Sequence, residues 1–309
     1  MKSSAQEKID IMASSFSQAL LDTITLCNNG RNTPLTPLFV QGIMIGLVPP
    51  TKVSILENYP DIFLKTKDSI ILNPKYQTYR QRSAIFTKFL KELFGYSILK
   101  EWRNEELEVY PQIGAESLLR TERAGFSLLG MVTHGIHING YTLNSENKVD
   151  KMWFGVRPAY KKSFPGKLDQ MVAGVMCIHD SCMHETAVRE GYEEAGLTYE
   201  DICRSTPCGS VSYFYRDQNY VFPCVRYVLD LELPSDFTPE NKDGDVESFV
   251  LLSVTEAKQA LIDKKFRFSS ALVLIHFFIR HGVITPDNEP RYNCLLTWMH
   301  MNPFCQTHN

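Results

Sequence analysis

His184 to Leu197 reads HETAVREGYEEAGL, and the fold turns on why a helix would crowd its acids in this way. Residues three and four apart share a helix face. Glu190, Glu193 and Glu194 therefore lie together within about a turn, where like charges repel. Ala187, Gly191 and Ala195 fall on a second stripe, small enough to let the helix lie close against a neighbour. Gly196 is a suitable C-terminal stop. One side packs tightly and the other holds three carboxylates. A divalent cation of the hard class relieves such crowding, because Mg²⁺ takes oxygen ligands and shares its shell with waters and substrate phosphates. Carboxylates around such an ion suit cleavage of a phosphoanhydride. A solvated acidic face is the plainer alternative.

Strands flank this helix. LDQMVAGVMCI (168–178) reads as one strand leading into a loop. AGFSLLGMVTHGIHINGYTL (124–143) and KMWFGVRP (151–158) read as strands separated by a polar turn. After the helix, residues 206–233 read as two strands around the turn RDQN, and VESFVLLSV (246–254) as another. TEAKQALIDKK (255–265) and SSALVLIHFFIRHG (269–282) have helical spacing, the second apolar enough to be buried. Strands with helices between them imply a mixed α/β sandwich. A smaller α+β unit precedes it: SSFSQALLDTITLCNNG (14–30) and QTYRQRSAIFTKFLKELFGY (77–96) as helices, and TPLFVQGIMIGLVPP (36–50) as a hairpin turning at Gln41-Gly42. The boundary is placed between residues 114 and 115.

The chain has 309 residues, enough for two units and a sizeable core. Its 32 basic and 35 acidic residues give a net charge of −3. No basic excess points to nucleic acid or an anionic membrane. No run has the length of a membrane span, and MKSSAQEKIDIMASSF (1–16) has no apolar signal region. The 8 cysteines form no C-x-x-C pair and read as reduced thiols in a cytoplasmic protein. Cys177, His179, Cys182 and His184 interleave, but their spacing matches no zinc module.

REGYEEAGL resembles the second half of the Nudix box, G-x5-E-x7-R-E-U-x-E-E-x-G-U, where U is aliphatic. Arg189, Glu190, Glu193, Glu194, Gly196 and Leu197 match in register. The resemblance implies that Glu190, Glu193 and Glu194 bind Mg²⁺ (or Mn²⁺), with Glu193 and Glu194 catalytic and Arg189 bracing them. The first half of the box departs from the pattern: its Gly position falls on Val175, next to Gly174, and its Glu position on Ser181, next to Asp180. Asp180 standing in for that Glu, or Ser181 capping the helix, are the two readings. Gly191 replaces the usual aliphatic residue.

Further segments over nearly the whole chain resemble the thiamine-pyrophosphokinase-related Nudix hydrolases of fungi and plants. They are HGIHINGY (134–141), FPGKLDQMVAG (164–174), GSVSYFY (209–215), DGDVESFVLLSV (243–254) and IRHGVITPDNEP (279–290), with FVQGIMIGLVPP, YPDIF and SILKEWRNE in the first unit. This implies a Nudix α/β/α sandwich with a mixed sheet over 115–309, after the smaller α+β domain of 1–114. It also implies metal-dependent hydrolysis of thiamine diphosphate derivatives, oxidised forms in particular, to the monophosphate and phosphate. By analogy with the family, Glu247 is the candidate for a further acid, with Asp245 second. Arg157 and Lys167 are candidates to meet phosphates, ahead of Lys161 and Lys162. His137 and Asn139 are candidates to meet a heteroaromatic ring, and Tyr213 to stack on it. Two other readings stay open: a Nudix hydrolase of a nucleoside diphosphate derivative, and a thiamine-phosphate-binding module that has lost catalysis.

Overall fold

A computed structural model describes residues 4–99 and 101–304, with side chains from residue 13 onward. Cys305 lies outside the described residues; the other cysteines are free. No helix among the described residues is long and apolar enough to cross a membrane.

α1 (Ser4–Cys27) extends the expected helix towards the N-terminus. β1 (Thr36–Val40) and β2 (Ile43–Val48) form the expected hairpin. Gln41 and Gly42 both have positive φ, the backbone that matches a tight turn to strand twist. α2 (Pro50–Glu57) starts on Pro50, where a missing N–H costs nothing. β3 (Phe63–Lys65) and β4 (Ile70–Leu72) complete a 4-stranded sheet in the order β2-β1-β4-β3. α3 (Tyr79–Gly95), opened by a Thr78/Gln81 capping box, buries Phe86, Phe89, Leu90 and Leu93 on it. β5 (Glu106–Val109) pairs with β6 (Leu119–Glu122), so residues 114 and 115 fall in the loop of this hairpin.

α4 (Ala124–Leu129) departs from the sequence expectation. Residues 124–129 were expected as strand. Instead Phe126, Leu128 and Leu129 turn into the first unit's core as a short helix closed by Gly130 in the left-handed region. A short apolar run carries no periodicity that separates helix from strand. A Cβ at Gly130 would meet Leu47 O at 2.0 Å, so glycine is required there.

β7 (Thr133–Leu143) and β8 (Val149–Val156) then form a hairpin. The run 168–178, expected as one strand, divides into β9 (Leu168–Gln170) and β10 (Val172–Val175). β9 pairs with β8 and β10 with β7. Two partners on different strands break what the apolar pattern shows as continuous. α5 (Met183–Ala195) and α6 (Tyr199–Arg204) follow, then the long hairpin of β11 (Thr206–Asp217) and β12 (Tyr220–Glu232), then β13 (Ser248–Ser253). α7 (Val254–Ile262), α8 (Phe268–Arg280) and α9 (Tyr292–Met299) close the chain.

The large sheet runs β11-β12-β7-β8-β13, with β10 on β7 and β9 on β8. β12 lies parallel to β7 and the other pairs are antiparallel, which makes the sheet mixed, as expected. One face presents Ile136, Ile138, Leu229 and Leu231 to Ala187 and Ala195 of α5 and Ile202 of α6. The other presents Phe154, Val211, Tyr213 and Val228 to the buried side of α8. The result is an α/β/α sandwich. α1 belongs to that second layer: Leu20, Ile24 and Cys27 share a core with Phe277 and Phe278 of α8. Each such buried apolar side chain contributes about 1.5–3 kcal/mol.

Candidate active site

α5 is positioned from both ends. Its N-cap is Cys182, whose side chain makes no capping bond. The Ser181 hydroxyl does not cap the helix; its N–H donates to Glu185 Oε2 at 2.7 Å. At the far end Gly196 is left-handed, with Gly196 N–H bonded to Tyr192 O and Leu197 N–H to Gly191 O. The Gly196 bond to Tyr192 is the 5→1 closure of an αL stop. The small stripe is buried as its spacing predicts: Ala187 and Ala195 face the sheet, and a Cβ at Gly191 would meet Ile202 Cδ1 at 3.0 Å.

The three glutamates have different settings. Glu190 passes over Gly174, where a Cβ would lie 2.1 Å from both its Cγ and Cδ. Its Oε1 accepts from Arg189 Nη1 at 2.8 Å. Glu194 is half-buried, and its Oε2 accepts the Ala173 N–H at 2.7 Å. Burial pushes the Glu194 carboxyl well above the usual carboxylate range, and the Glu190 charge pushes the same way. Burial also raises Glu190, against the pull of Arg189. Glu193 is the most open of the three, 40% exposed, with Oε2 3.3 Å from Arg189 Nη1.

Arg189 braces the helix to the loop before it. Its Nε and Nη2 reach Asp180 Oδ1 and Oδ2, and Nη2 also reaches Val175 O at 3.2 Å. Asp180 further accepts from the Cys177 N–H and the Thr186 hydroxyl. Burial pushes its carboxyl up, but Arg189 and the Cys177 N–H more than offset this and hold it below the usual range. Asp180 thus anchors Arg189. It is not among the residues that line the cavity.

Glu190 and Glu194 open into a cavity of about 270 Å³ between α5, β10 and the end of the large sheet. Arg157, Arg226 and Arg267 line it with Asp169, His137 and Gln170. Asp169 is shared by Arg157 Nη1 at 3.0 Å and Arg267 Nη1 at 3.3 Å. Arg226 is 6% exposed and has no carboxylate within salt-bridge distance among the described residues. Its Nη1 donates to Thr133 O and Val225 O, and its Nη2 to the Tyr213 hydroxyl. Its charge feels Asp169 across the cavity but forms no ion pair, which leaves the guanidinium able to receive an anion. His137 is buried with Nδ1 unpartnered, and burial pushes its pKa down to about 3, so it is neutral.

The sequence candidates divide. Arg157 and His137 reach the cavity. Asn139 does not: it accepts from Gln170 Nε2 at 2.7 Å and donates to Asp230 Oδ1 at 2.9 Å, holding Gln170 in the cavity wall. Tyr213 is buried in the core against Phe268, which leaves no face for a ligand ring. Lys167 donates from Nζ to Lys264 O and lines a separate, more open groove with Val250 and Leu252. Glu247 is exposed and outside the cavity, whereas Asp245 lines it, paired with Lys161 at 2.7 Å. Lys162 pairs with Glu101 instead. Sequence reasoning missed Arg226, Arg267, Asp169 and Gln170. The signal was in YVFPCVRYVLDLE, where Arg226 interrupts an apolar strand.

The donor set is compatible with a hard divalent ion. Glu190 and Glu194 offer oxygen ligands; the Glu190 charge raises the Glu194 carboxyl, and Glu194 itself has no cationic side chain paired to it among the described residues. Among the described residues no three His, Cys, Asp or Glu side chains converge as a ligand set. Arg189 draws Glu193 and Glu190, while Ala173 draws Glu194. An open shell completed by water and phosphate oxygens, the habit of Mg²⁺, suits this arrangement better than a closed structural site.

Residues 19–133 match a family model described as "Domain of unknown function (DUF4743)". The chain is 37% identical over 243 residues to "Uncharacterized protein YJR142W" of Saccharomyces cerevisiae, covering 73% of this chain and 70% of that protein. It is 32% identical over 273 residues to Nudix hydrolase 24, chloroplastic, of Arabidopsis thaliana, covering 87% and 74%. Among solved structures, a C. elegans Ap4A hydrolase matches at 17% identity with a TM-score of 0.34, covering 48% of this chain and 96% of that one.

Proposed function

The chain belongs to the Nudix hydrolases, and from that premise we propose that it hydrolyses the phosphoanhydride of thiamine diphosphate derivatives, oxidised forms among them, to the monophosphate and phosphate. The observation that carries the diphosphate part is one cavity with two ends. Half-buried carboxylates of Glu190 and Glu194 stand at one end, and the guanidinium of Arg226, without a salt-bridge partner, lies in the wall. The thiamine part is supported by the resemblance of the quoted segments. His137 and Gln170, both neutral and buried, add polar edges for a heterocycle.

Glu190 and Glu194 would hold Mg²⁺ (or Mn²⁺), joined by Glu193 on turning from Arg189. When bound, the ion neutralises phosphate charge and acidifies the attacking water. Arg226 and Arg157 would hold phosphate oxygens, Arg157 by exchanging part of its bond to Asp169. Glu194, with Oε2 tied to the Ala173 N–H, would take the water's proton on Oε1; a carboxyl raised by burial suits that task. Arg189 keeps α5 in register with the loop that carries Asp180. We further propose a cytoplasmic enzyme, on the free thiols.

The test is phosphate release from thiamine diphosphate, its oxidised analogues and nucleoside diphosphate derivatives, with and without Mg²⁺, beside Glu194→Gln. Metal-dependent release from a thiamine species, lost in the variant, supports the reading. Release from nucleotides alone keeps the site and overturns the thiamine assignment. Binding without turnover would mark a module that has lost catalysis.

A further inference from the structure

The cavity wall is not built by the catalytic sandwich alone. Arg103, Glu105 and Arg123 also line the cavity that holds Glu190 and Glu194. All three lie within the stretch matched by the domain of unknown function. They are held in place from below. Glu122, 2% exposed at the end of β6, accepts the Arg103 N–H at 3.0 Å and the Ala124 N–H at 3.3 Å. The Arg123 N–H donates to Glu105 O at 2.8 Å, and Arg123 Nη1 lies 2.8 Å from both Glu105 carboxylate oxygens. Two chain segments are thereby pinned with their guanidinium groups at the rim.

The same unit also grips the catalytic loop. Val175 and Cys177, on the path from β10 to α5, pack against the core of the first unit. Val175 occupies the position where the Nudix pattern has glycine, so that departure supplies an apolar anchor. Lys162 and Glu101 add an ion pair across the two units at 2.8 Å.

We propose that the first unit is a wall of the active site, and that Arg123, with Arg103 beside it, binds the anionic group of the diphosphate substrate that lies away from Glu190 and Glu194. The inference rests on the diphosphate-hydrolase reading. Arg123 and Glu105 are each about one-third exposed, so their ion pair is weak enough to exchange for a doubly charged phosphate. A guanidinium fork suits phosphate oxygens better than an ammonium does. Arg123 is a substrate-positioning residue, without a part in bond breaking.

The experiment uses the full chain and two readouts: steady-state kinetics on the best diphosphate of the panel, and calorimetric binding of inorganic pyrophosphate with Mg²⁺. Arg123→Ala is expected to raise KM and weaken pyrophosphate binding by about tenfold, with KM carrying most of the loss, and Arg123→Lys to recover part of it. Glu105→Gln leaves Arg123 in place and frees it from its pair, so pyrophosphate should bind more tightly. Unchanged pyrophosphate binding in Arg123→Ala and in Glu105→Gln overturns the proposal. So does a fall in melting temperature of Arg123→Ala with no tightening in Glu105→Gln, the pattern of a purely structural residue. If the wild-type chain turns over no diphosphate, the hydrolase reading fails by itself, while pyrophosphate binding still decides the role of Arg123.

Discussion

Arg189 and Asp180 meet as two forks: Nε lies 3.0 Å from Oδ1 and Nη2 2.7 Å from Oδ2. The pair fastens the helix that carries the glutamates to the loop that leads into it. Asp180 is 4% exposed at the side chain, so truncating it removes the forked half of the Arg189 pairing and leaves the Cys177 N–H and Thr186 hydroxyl without that acceptor. Asp180→Ala is expected to cost about 3 kcal/mol in chemical denaturation, near the low end for a broken buried pair because Arg189 is partly open. Arg189→Lys keeps the charge and loses the fork; turnover should fall by about tenfold or more.

Glu194 separates stability from activity. Its carboxylate is half-buried and repelled by Glu190, so ionisation opposes folding in metal-free buffer. Glu194→Gln keeps an acceptor for the Ala173 N–H and removes the charge. Its melting temperature in EDTA should equal or exceed that of wild type, by about 2–4 °C for each kcal/mol gained. Adding Mg²⁺ should raise the wild-type melting temperature and leave the variant nearly unmoved, because only an ion that binds the folded state stabilises it. A variant that melts lower than wild type in EDTA contradicts the repulsion argument.

Gly174 and Gly135 give a paired test of space. A Cβ at Gly174 would meet the side chain of Glu190 at 2.1 Å, whereas one at Gly135 would meet the backbone Gly174 O at 2.3 Å. A side chain swings away, but a strand backbone does not. Gly174→Ala should therefore displace Glu190 and cut turnover by about tenfold or more while costing about 1 kcal/mol or less of stability. Gly135→Ala should cost about 2 kcal/mol or more, by parting β7 from β10. Urea denaturation beside phosphate release checks both.

Acid should loosen the fold through two histidines that burial keeps neutral. Burial holds His137 and His276 neutral, each with a pKa pushed down to about 3. The unfolded chain takes up these protons near pH 6.5, and the folded chain does not until near pH 3. Unfolding therefore binds protons, and stability falls as the pH drops from about 6.5 towards 3. At pH 5 each histidine should account for about 2 kcal/mol of the loss. Urea midpoints at pH 7.5 and 5.0 measure it, and His276→Phe should flatten the difference.

The glutamate-bearing helix was legible because its information is local. Spacing placed the three glutamates on one side and Ala187, Gly191 and Ala195 on the other, and Gly196 closed the helix where expected. The rest of the site was written in pairings that lie far apart in sequence. Arg226 faces the cavity because β12 runs parallel to β7, in a register that sets Arg226 beside Gly135. Asn139 and Tyr213 alternate with apolar neighbours in HGIHINGY and GSVSYFY. Alternation names a face without saying what covers it, and here α8 and the Asp230 network do. Lys167 and Glu247 stand just before β9 and β13 rather than within them, and a flanking position does not say which way the side chain turns. Residues 168–175 looked like one strand because periodicity does not register a change of partner at Met171.

The placement of α1 bears on how the chain comes off the ribosome. Cys27 Sγ contacts Phe268 O at 3.5 Å, across 241 residues of sequence. At about 5–20 residues per second, synthesis needs about 12–48 s to deliver Phe268 after Cys27. Through that interval Leu20, Ile24 and Cys27 have no core to enter. α1 is made long before α8 and is buried only when α8 arrives, so its apolar face is a part of the nascent chain that a chaperone has long to hold.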